Sequence, residues 1–385
     1  MTVFAVITAA TFSASGSAPT PLYRHYQEMM GLSPAVLTVI FSAYVLSLLT
    51  ALLTVGSLSD HIGRRPVIFG ALILNAIAMV MFIAADTAAA LTLARVVQGF
   101  ATGAATTTLG ATILDTNRVQ GPLYNSVTAF AGLTLGALGS GALVTFAPAP
   151  TQLIYIVLLT VSALAASMLW FMPETAERRP GALASLRPHV SVPPQALKAL
   201  ARVTPVNIAT WALGGFYFSL MPSLVRVATG LTSPFIGGMV VAALPFAAAV
   251  AVVLVRRLTA TTMLTVGTSV LALGVAFTLA GVHAQRVPLM LVGTVIAGLG
   301  FGSAFSGTFR SVIPLAAPSE RAGLLAAFYV ESYLAFSLPA IMAGLAAPLL
   351  GLGLSSDIYG AVIILLALTS LVAMRTSRGG APATP

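Results

Sequence analysis

The sequence predicts an all-α membrane protein with twelve transmembrane helices arranged as two halves of six. Hydrophobic residues make up 58% of the 385 residues and charged residues only 7%, whereas soluble domains are usually about one quarter charged. The apolar runs are long and do not alternate, which favours spanning helices over barrel strands. One long polar connection, from Pro173 to Val203, divides these runs six and six.

Each apolar run is expected to be a helix, because backbone groups in lipid must form their hydrogen bonds internally. The start of the chain lacks the basic region of a cleaved signal peptide, so the first helix is expected to be retained. In chain order the predicted helices are 3–23, 35–58, 67–85, 88–113, 122–147 and 152–172, and then 204–226, 234–255, 262–282, 287–309, 322–347 and 356–374. The corresponding domains are an N-terminal bundle over 1–172, a linker over 173–203, a C-terminal bundle over 204–375 and a tail over 376–385.

The distribution of basic residues predicts the orientation of the chain. With the N-terminus inside the cell, three of the 18 basic residues fall outside, Arg95 falls within a helix, and the other fourteen fall inside. This is a strong positive-inside bias. We therefore expect a multi-pass protein of the cell inner membrane with both termini and the linker in the cytoplasm. The net charge of +9 is then a topology signal, and no soluble basic face predicts a nucleic-acid partner.

The composition also argues against several kinds of site. The chain has no cysteine, which excludes disulfides and thiolate metal sites. Neither a phosphate-binding glycine loop nor a catalytic triad motif is present. A membrane-embedded enzyme would need ionisable groups clustered at one depth, and only Arg95 and Glu331 lie well within predicted helices. We expect a monomer that is not an enzyme and that needs no metal or cofactor.

The segment GSLSDHIGRRP, residues 56–66, is unusually rich in charge for so apolar a chain. Membrane topology alone explains Arg64 and Arg65, which would hold this turn in the cytoplasm. It does not explain Asp60, which needs a partner if the turn packs on protein. Nor does it explain Gly63, which would permit a tight reversal.

This segment resembles the signature between helices 2 and 3 of the major facilitator superfamily. The segment RVVQG, residues 95–99, is similar to a second signature of that family, and GLTLGALGS, residues 132–140, is similar to the antiporter signature of its drug:proton branch. The resemblance implies two six-helix bundles around a central cavity that opens alternately to each side. The residues that match the first signature are Gly56, Leu58, Asp60, Gly63, Arg64 and Arg65.

The resemblance also implies a conformational latch in this turn. In the family, the turn fastens the N-terminal bundle to helix 11 when the outside is open. Carried over to this chain, Asp60 would meet the positive end of the helix dipole near Gly323. An arginine of the turn would pair with Asp115 at the inner end of helix 4. The residues assigned to the latch are Gly56, Asp60, Gly63, Arg64, Arg65 and Asp115.

Arg95 and Glu331 are the candidate proton-coupling residues. Arg95 begins a polar face of helix 4 that continues through Gln98 and Thr102. A charge at this depth faces a cavity or a partner, so Arg95 either assists coupling or binding of an anionic group, or bonds backbone carbonyls of another helix. Glu331 lies about 15 Å into helix 11 at 1.5 Å per residue. It could carry a proton, pair with a cationic substrate, or form a helix–helix contact.

Helices 7 and 11 supply the remaining candidates for substrate binding. Trp211 and Tyr217 lie on helix 7, with directions about 120° apart. If Glu331 faces the cavity, Phe328 shares its side, whereas Tyr329 and Tyr333 face away. The predicted substrate-binding set is Gln98, Thr102, Trp211, Tyr217, Phe328 and Glu331.

The sequence thus favours a secondary transporter that exports a small organic compound, such as a drug, against proton entry. Such an efflux antiporter would contribute to multidrug resistance. The alternative within transport is a proton-coupled symporter that takes up a metabolite or sugar. A membrane-embedded enzyme or a receptor is the competing hypothesis from another class.

Overall fold

The computed structural model describes residues 1–317 and 320–376, with side chains as far as Met374. All regular structure in the described residues is helical, which confirms the predicted fold class. The α-helices are α1 Thr2–Ser17, α2 Tyr23–Met30, α3 Pro34–Thr54, α4 Ser59–Ile62, α5 Arg64–Ala84, α6 Ala88–Thr116, α7 Gly121–Phe146, α8 Leu153–Leu169, α9 Pro194–Ser219, α10 Met221–Thr229, α11 Pro234–Val255, α12 Ala260–His283, α13 Val287–Val312, α14 Arg321–Leu350 and α15 Leu352–Thr376.

Twelve of these helices correspond to the twelve predicted spans. Within the described residues, eight are long and apolar enough to cross a membrane, and α9 with α10 forms a ninth span bent by 63°. The helices α1 and α8 are apolar but shorter, with 16 and 17 residues. The helix α6 has 29 residues and is rich in threonine, glycine and alanine. The remaining short helices, α2, α4 and α10, flank the spans.

The first span of each half ends earlier than predicted and continues as a short helix. The predicted helix 3–23 stops at Ser17, and α2 starts at Tyr23. Between them lie Pro19 and Pro21, which cannot donate the backbone hydrogen bonds of a continuous helix. In the second half, α9 ends at Ser219 and α10 follows it directly, with a proline in its first turn.

The non-helical linker is shorter than the predicted linker over 173–203, because its last part is helical. The helix α9 begins at Pro194 rather than at 204, because a proline is well accommodated in the first turn of a helix. The non-helical connection after α8 therefore runs over 170–193, with one short 3₁₀ turn at Ala184–Leu186. The part of the predicted tail beyond Thr376 lies outside the described residues.

The two halves contact each other at the end of the bundle opposite the linker, called here the opposite end. The Thr20 hydroxyl donates to the carbonyl of Phe218 at 3.1 Å. The backbone N–H of Phe235 donates to the Thr145 hydroxyl at 3.0 Å. The carboxylate of Glu28 on α2 pairs with Arg226 on α10. The bundle is therefore closed at this end.

Candidate functional site

The turn between α3 and α5 is built around Arg64. Gly63 has a φ of +98°, a conformation that favours glycine, and it reverses the chain before α5. Arg64 is buried, and its Nη1 donates to the Ser59 hydroxyl at 2.7 Å and to the Asp60 carboxylate. Its Nε donates to Asp115 at 3.2 Å. The structure thus contains the pair between a turn arginine and Asp115 that the resemblance implies.

Glu174, just after α8, closes this turn from the linker side. Its carboxylate accepts the backbone N–H groups of Arg64 at 2.8 Å and Arg65 at 3.0 Å, which are the free donors of the first turn of α5. A Cβ at position 63 would lie 2.7 Å from the same carboxylate, so this approach needs glycine. Partial burial opposes the charged form of Glu174, but four backbone N–H donors outweigh it and lower its pKa.

The linker lies between this turn and the start of α14. The hydroxyl of Ser57 donates to the carbonyl of Ser185 at 3.2 Å. Further along, the backbone N–H of Ser191 donates to the carbonyl of Gly323 at 3.3 Å. Asp60 pairs with Arg64 instead of lying at Gly323. The contact that defines the predicted latch is therefore not made in this arrangement, and the latch stays a prediction.

Arg95 is fully buried in α6 and is held by groups of α1 and α2. Its Nη1 donates to the carbonyl of Gly16 at 3.0 Å and to the Gln98 side chain at 2.7 Å, while its Nε donates to the Tyr23 hydroxyl at 3.1 Å. Its guanidinium carbon lies 4.8 Å from the centre of the Tyr44 ring. This geometry matches the structural alternative, in which the arginine bonds a carbonyl of another helix.

Gln98 and Thr102 continue the polar face, but their groups are already engaged. The Gln98 amide nitrogen donates to the carbonyl of Ser15 at 2.7 Å. The Thr102 hydroxyl donates to the carbonyl of Gln98 at 2.9 Å. Both side chains are buried. In this arrangement the predicted polar face connects α6 to α1.

Glu331 lies on the face of α14 that meets α9. Its carboxylate accepts hydrogen bonds from the Thr204 hydroxyl at 2.9 Å and from the Asn207 amide at 2.9 Å. The same amide donates to the Ser332 hydroxyl at 3.1 Å. The side chain is half-buried, and none of the ion pairs among the described residues includes it. Two neutral donors thus hold a carboxylate that has no cation partner among the described residues.

Aromatic side chains occupy the middle of the interface between the halves. The Trp211 ring lies 5.1 Å from that of Tyr333 and 5.9 Å from that of Phe336. Phe336 in turn lies 5.2 Å from Phe41 of the first half. The indole Nε1 of Trp211 is shielded from solvent and has no hydrogen-bond partner. Since a buried donor normally finds a partner, this N–H is available to a ligand.

Two predicted binding residues lie elsewhere. The Tyr217 hydroxyl is 2.8 Å from that of Thr294 and 3.1 Å from that of Thr278, inside the second half. Phe328 is fully buried against Phe309, also within that half. Neither side chain lines the interface between the halves.

Glu331 and Tyr333 lie on different sides of α14, as their spacing of two residues predicts. Tyr333 lies in the central aromatic cluster, whereas Glu331 is turned towards α9. The side of α14 that faces the interface between the two halves is the one that carries Tyr333, not the one that carries Glu331. Sequence reasoning missed Thr204 and Asn207, although both are polar positions three apart on one apolar helix, which is a usable signal.

In and just after the antiporter-like segment, α7 has four glycines, and three of them lie at close helix contacts. A Cβ at Gly132 would lie 2.6 Å from the Ser13 Cβ of α1, and one at Gly141 would lie 3.3 Å from the Gly238 Cα of α11. A Cβ at Gly136 would meet the backbone of Ala14. Around Gly139, nothing lies within 4 Å of such an atom. The segment therefore brings α7 close to α1 in its own half and to α11 in the other half.

Comparisons with known proteins agree with this architecture. No curated protein matches the sequence. A crystal structure of the human organic anion transporter MFSD10 (TETRAN) superposes with a TM-score of 0.69 at 18% identity, over 96% of this chain and 98% of that one. A mutant form of the nucleoside transporter NupG superposes with a TM-score of 0.70 at 13% identity, again over 96% and 98%. At such identities the likeness shows the fold alone. The family model of the Major Facilitator Superfamily matches residues 3–336, and the chain therefore belongs to this superfamily of membrane transporters.

Proposed function

We propose that this transporter exports a small organic compound in exchange for protons, with Glu331 as the proton-carrying group. The observation that carries the proposal is a carboxylate within a span that is held by Thr204 and Asn207 and has no cation among the described residues. A charge at this depth is costly without a counter-charge. A proton or a cationic group of the substrate can supply it, and exchange between the two would couple their movements.

The closed opposite end supports a mechanism of alternating access. The halves touch there through Glu28 and Arg226, whereas at the linker end the motif turn and the start of α14 each contact the linker. To open at the end opposite the linker, the protein would have to separate the contacts there, such as Glu28 with Arg226. The two halves would then have to close at the linker end. Asp60 would then be free to meet α14, as the latch hypothesis proposes. The same cycle serves an efflux antiporter of the inner membrane with cytoplasmic termini.

The central aromatic cluster supports an organic substrate with a hydrogen-bond acceptor. Trp211 offers a free N–H beside the rings of Tyr333 and Phe336. Aromatic rings give a flat apolar surface, and a few polar groups fix the orientation of a ligand. The solved relatives are by their names an organic anion transporter and a nucleoside transporter, and both classes of solute carry such acceptors.

The test is transport by purified protein in liposomes. Glu331→Gln keeps the size of the side chain but fixes it neutral, so pH-driven accumulation of substrate should be lost. Exchange of labelled for unlabelled substrate should continue, because it needs no net proton transfer. Glu177→Gln, an exposed carboxylate in the linker, is the control and should keep both activities. Persistent pH-driven accumulation in Glu331→Gln would refute the coupling role.

The same assay separates export from uptake. A symporter would accumulate substrate on the side to which protons flow, whereas an antiporter would accumulate it on the side from which they come. We expect the second outcome. The first would establish the alternative, a proton-coupled uptake system for a metabolite or sugar.

A further inference from the structure

A groove on the outer surface of the first half lies between α5 and α8 at the linker end. It has a volume of about 630 Å³, within the range of about 300–1,000 Å³ that is typical of ligand sites. Its walls include Phe69 and Ile73 of α5, Ala163 of α8, and Trp170 just after α8. Ser167 also lines the groove, but its hydroxyl donates to a carbonyl of its own helix at 3.0 Å. The groove is therefore apolar along its length.

Arg65 lies next to Trp170, one of the residues that line this groove. Its guanidinium carbon lies 5.3 Å from the centre of the Trp170 ring, and its Nη2 donates to the carbonyl of Trp170 at 2.9 Å. Its Nε is shielded from solvent and has no hydrogen-bond partner, and no described carboxylate forms an ion pair with this side chain. By contrast, the adjacent Arg64 is paired with two carboxylates. The groove thus combines an apolar channel with a cation whose charge is not neutralised.

We propose that this groove binds an anionic phospholipid, with an acyl chain along α5 and α8 and the phosphate at Arg65. The charges are complementary, because a guanidinium donates well to phosphate oxygens and this one has no carboxylate partner among the described residues. The position also fits, since Trp170 and Phe171 are 58% and 85% exposed and such rings favour the membrane interface. The positive-inside bias places this end in the cytoplasmic leaflet, where anionic lipids attract basic side chains.

A bound lipid would stabilise the turn that carries the predicted latch. Arg65 follows Arg64 directly, and the backbone N–H groups of both are held by Glu174. A phosphate at Arg65 would therefore add a further contact to the start of α5. The site is separate from Glu331 and from the central aromatic cluster, so its occupancy does not depend on the substrate or on proton coupling.

The experiment measures the thermal unfolding of the full chain in detergent during titration with short-chain phosphatidylglycerol. A saturable rise in Tm is expected. Phosphatidylcholine with the same chains, and inorganic phosphate alone, should give no saturable rise. The phosphate arm distinguishes a lipid headgroup from a free anion. An equal response to phosphate, or to phosphatidylcholine, would overturn the proposal.

Two variants locate the site. Arg65→Gln should weaken the apparent affinity for phosphatidylglycerol by about tenfold or more, as expected for the loss of a charge-assisted hydrogen bond. Ala163→Phe fills the groove from an exposed position and should abolish the saturable response. The matched controls are Arg257→Gln, an exposed arginine, and Leu164→Phe, the exposed neighbour outside the groove. Equal losses in variants and controls would refute the site. If Arg65→Gln does not fold, Ala163→Phe against Leu164→Phe decides the question.

Discussion

At the scale of single residues, Arg95 shows how a charge is kept inside an apolar bundle without a carboxylate partner. Its planar guanidinium donates hydrogen bonds to the carbonyl of Gly16 and to the side chains of Gln98 and Tyr23. The guanidinium also lies over the Tyr44 ring. This combination suits arginine, because lysine is a point charge that cannot reach several acceptors in one plane. Arg95 therefore fastens α1 to α6.

We predict that Arg95→Lys destabilises the protein even though the charge is kept. At least one of its three acceptors, Gly16, Tyr23 and Gln98, would lose its donor, at a cost of about 1–3 kcal/mol for a buried polar group. Thermal unfolding in detergent measures the effect, with Arg118→Lys at an exposed position as the control. An unchanged Tm for Arg95→Lys would show that the charge alone suffices.

Glu174 predicts a specific loss of stability in acid. Its pKa is lowered in the folded state, against partial burial, by backbone N–H donors of the first turn of α5 and of the segment after Pro173. Its contribution is therefore complete above the unfolded pKa of about 4.5 and is lost as the pH falls through the lower folded value. Glu174→Gln should reduce Tm at pH 7 and flatten the acid part of the Tm–pH profile. Glu177→Gln, exposed in the same segment, should keep the native profile.

At the scale of elements, close backbone approach positions the helices. The segment from Gly132 to Gly141 lets α7 pack on α1 and on α11, and the Ser17 hydroxyl donates across this contact to the carbonyl of Leu133 at 2.8 Å. Small residues serve this purpose in membranes, where packing replaces the hydrophobic drive between helices. The register of α1 against α7 thus depends on positions where a side chain would not fit.

We predict opposite outcomes for two glycines three positions apart. Gly136→Ala would place a methyl group against the backbone of Ala14 and should destabilise the protein by about 1–3 kcal/mol, as overpacking does. Gly139→Ala would enter open space and should be neutral or slightly stabilising, because alanine is the better helix former. Thermal unfolding of the pair checks this. A similar loss in both variants would show that helix propensity, not packing, dominates.

The positions of the helices along the chain could be predicted better than the side of each helix that contacts its neighbours. Long apolar runs suffice to identify spans, and Pro19 and Pro21 explain the break between α1 and α2. The directions of Tyr217 and Phe328 could not be predicted. Helical periodicity gives the angle between two side chains but not which of them meets a neighbouring helix. The partners Thr204 and Asn207 belong to a helix 124 to 127 residues away in the chain.

At the scale of the whole molecule, the contact between Glu28 and Arg226 joins the two halves. A hydrogen bond from Arg226 is the main cause that lowers the pKa of Glu28, so this carboxylate is ionised at neutral pH. Alternating access requires these residues to separate in every cycle. The short helices α2 and α10 that carry them occupy matching places in the two halves.

Joining these positions covalently should therefore stop transport. The chain contains no cysteine, so Glu28→Cys combined with Arg226→Cys offers a single pair for a cleavable crosslinker. We expect crosslinking to abolish substrate movement in liposomes and cleavage to restore it. Each single-cysteine variant, treated in the same way, should stay active. Full transport by the crosslinked double variant would exclude separation of the halves at this end.

The linker limits the distance between the motif turn and the start of α14, because it is hydrogen-bonded to both. One point, Ser185, is bonded to Ser57 in the first half, and a second point, Ser191, is bonded to Gly323 in the second half. Only five residues, 186–190, lie between the two points, and fully extended chain from Ser185 to Ser191 spans about 20 Å. While both bonds hold, the motif turn and the start of α14 cannot move further apart than this stretch allows. The length of this stretch thus sets an upper limit on any gap at this end, and a wider gap must begin with the release of one of the two hydrogen bonds.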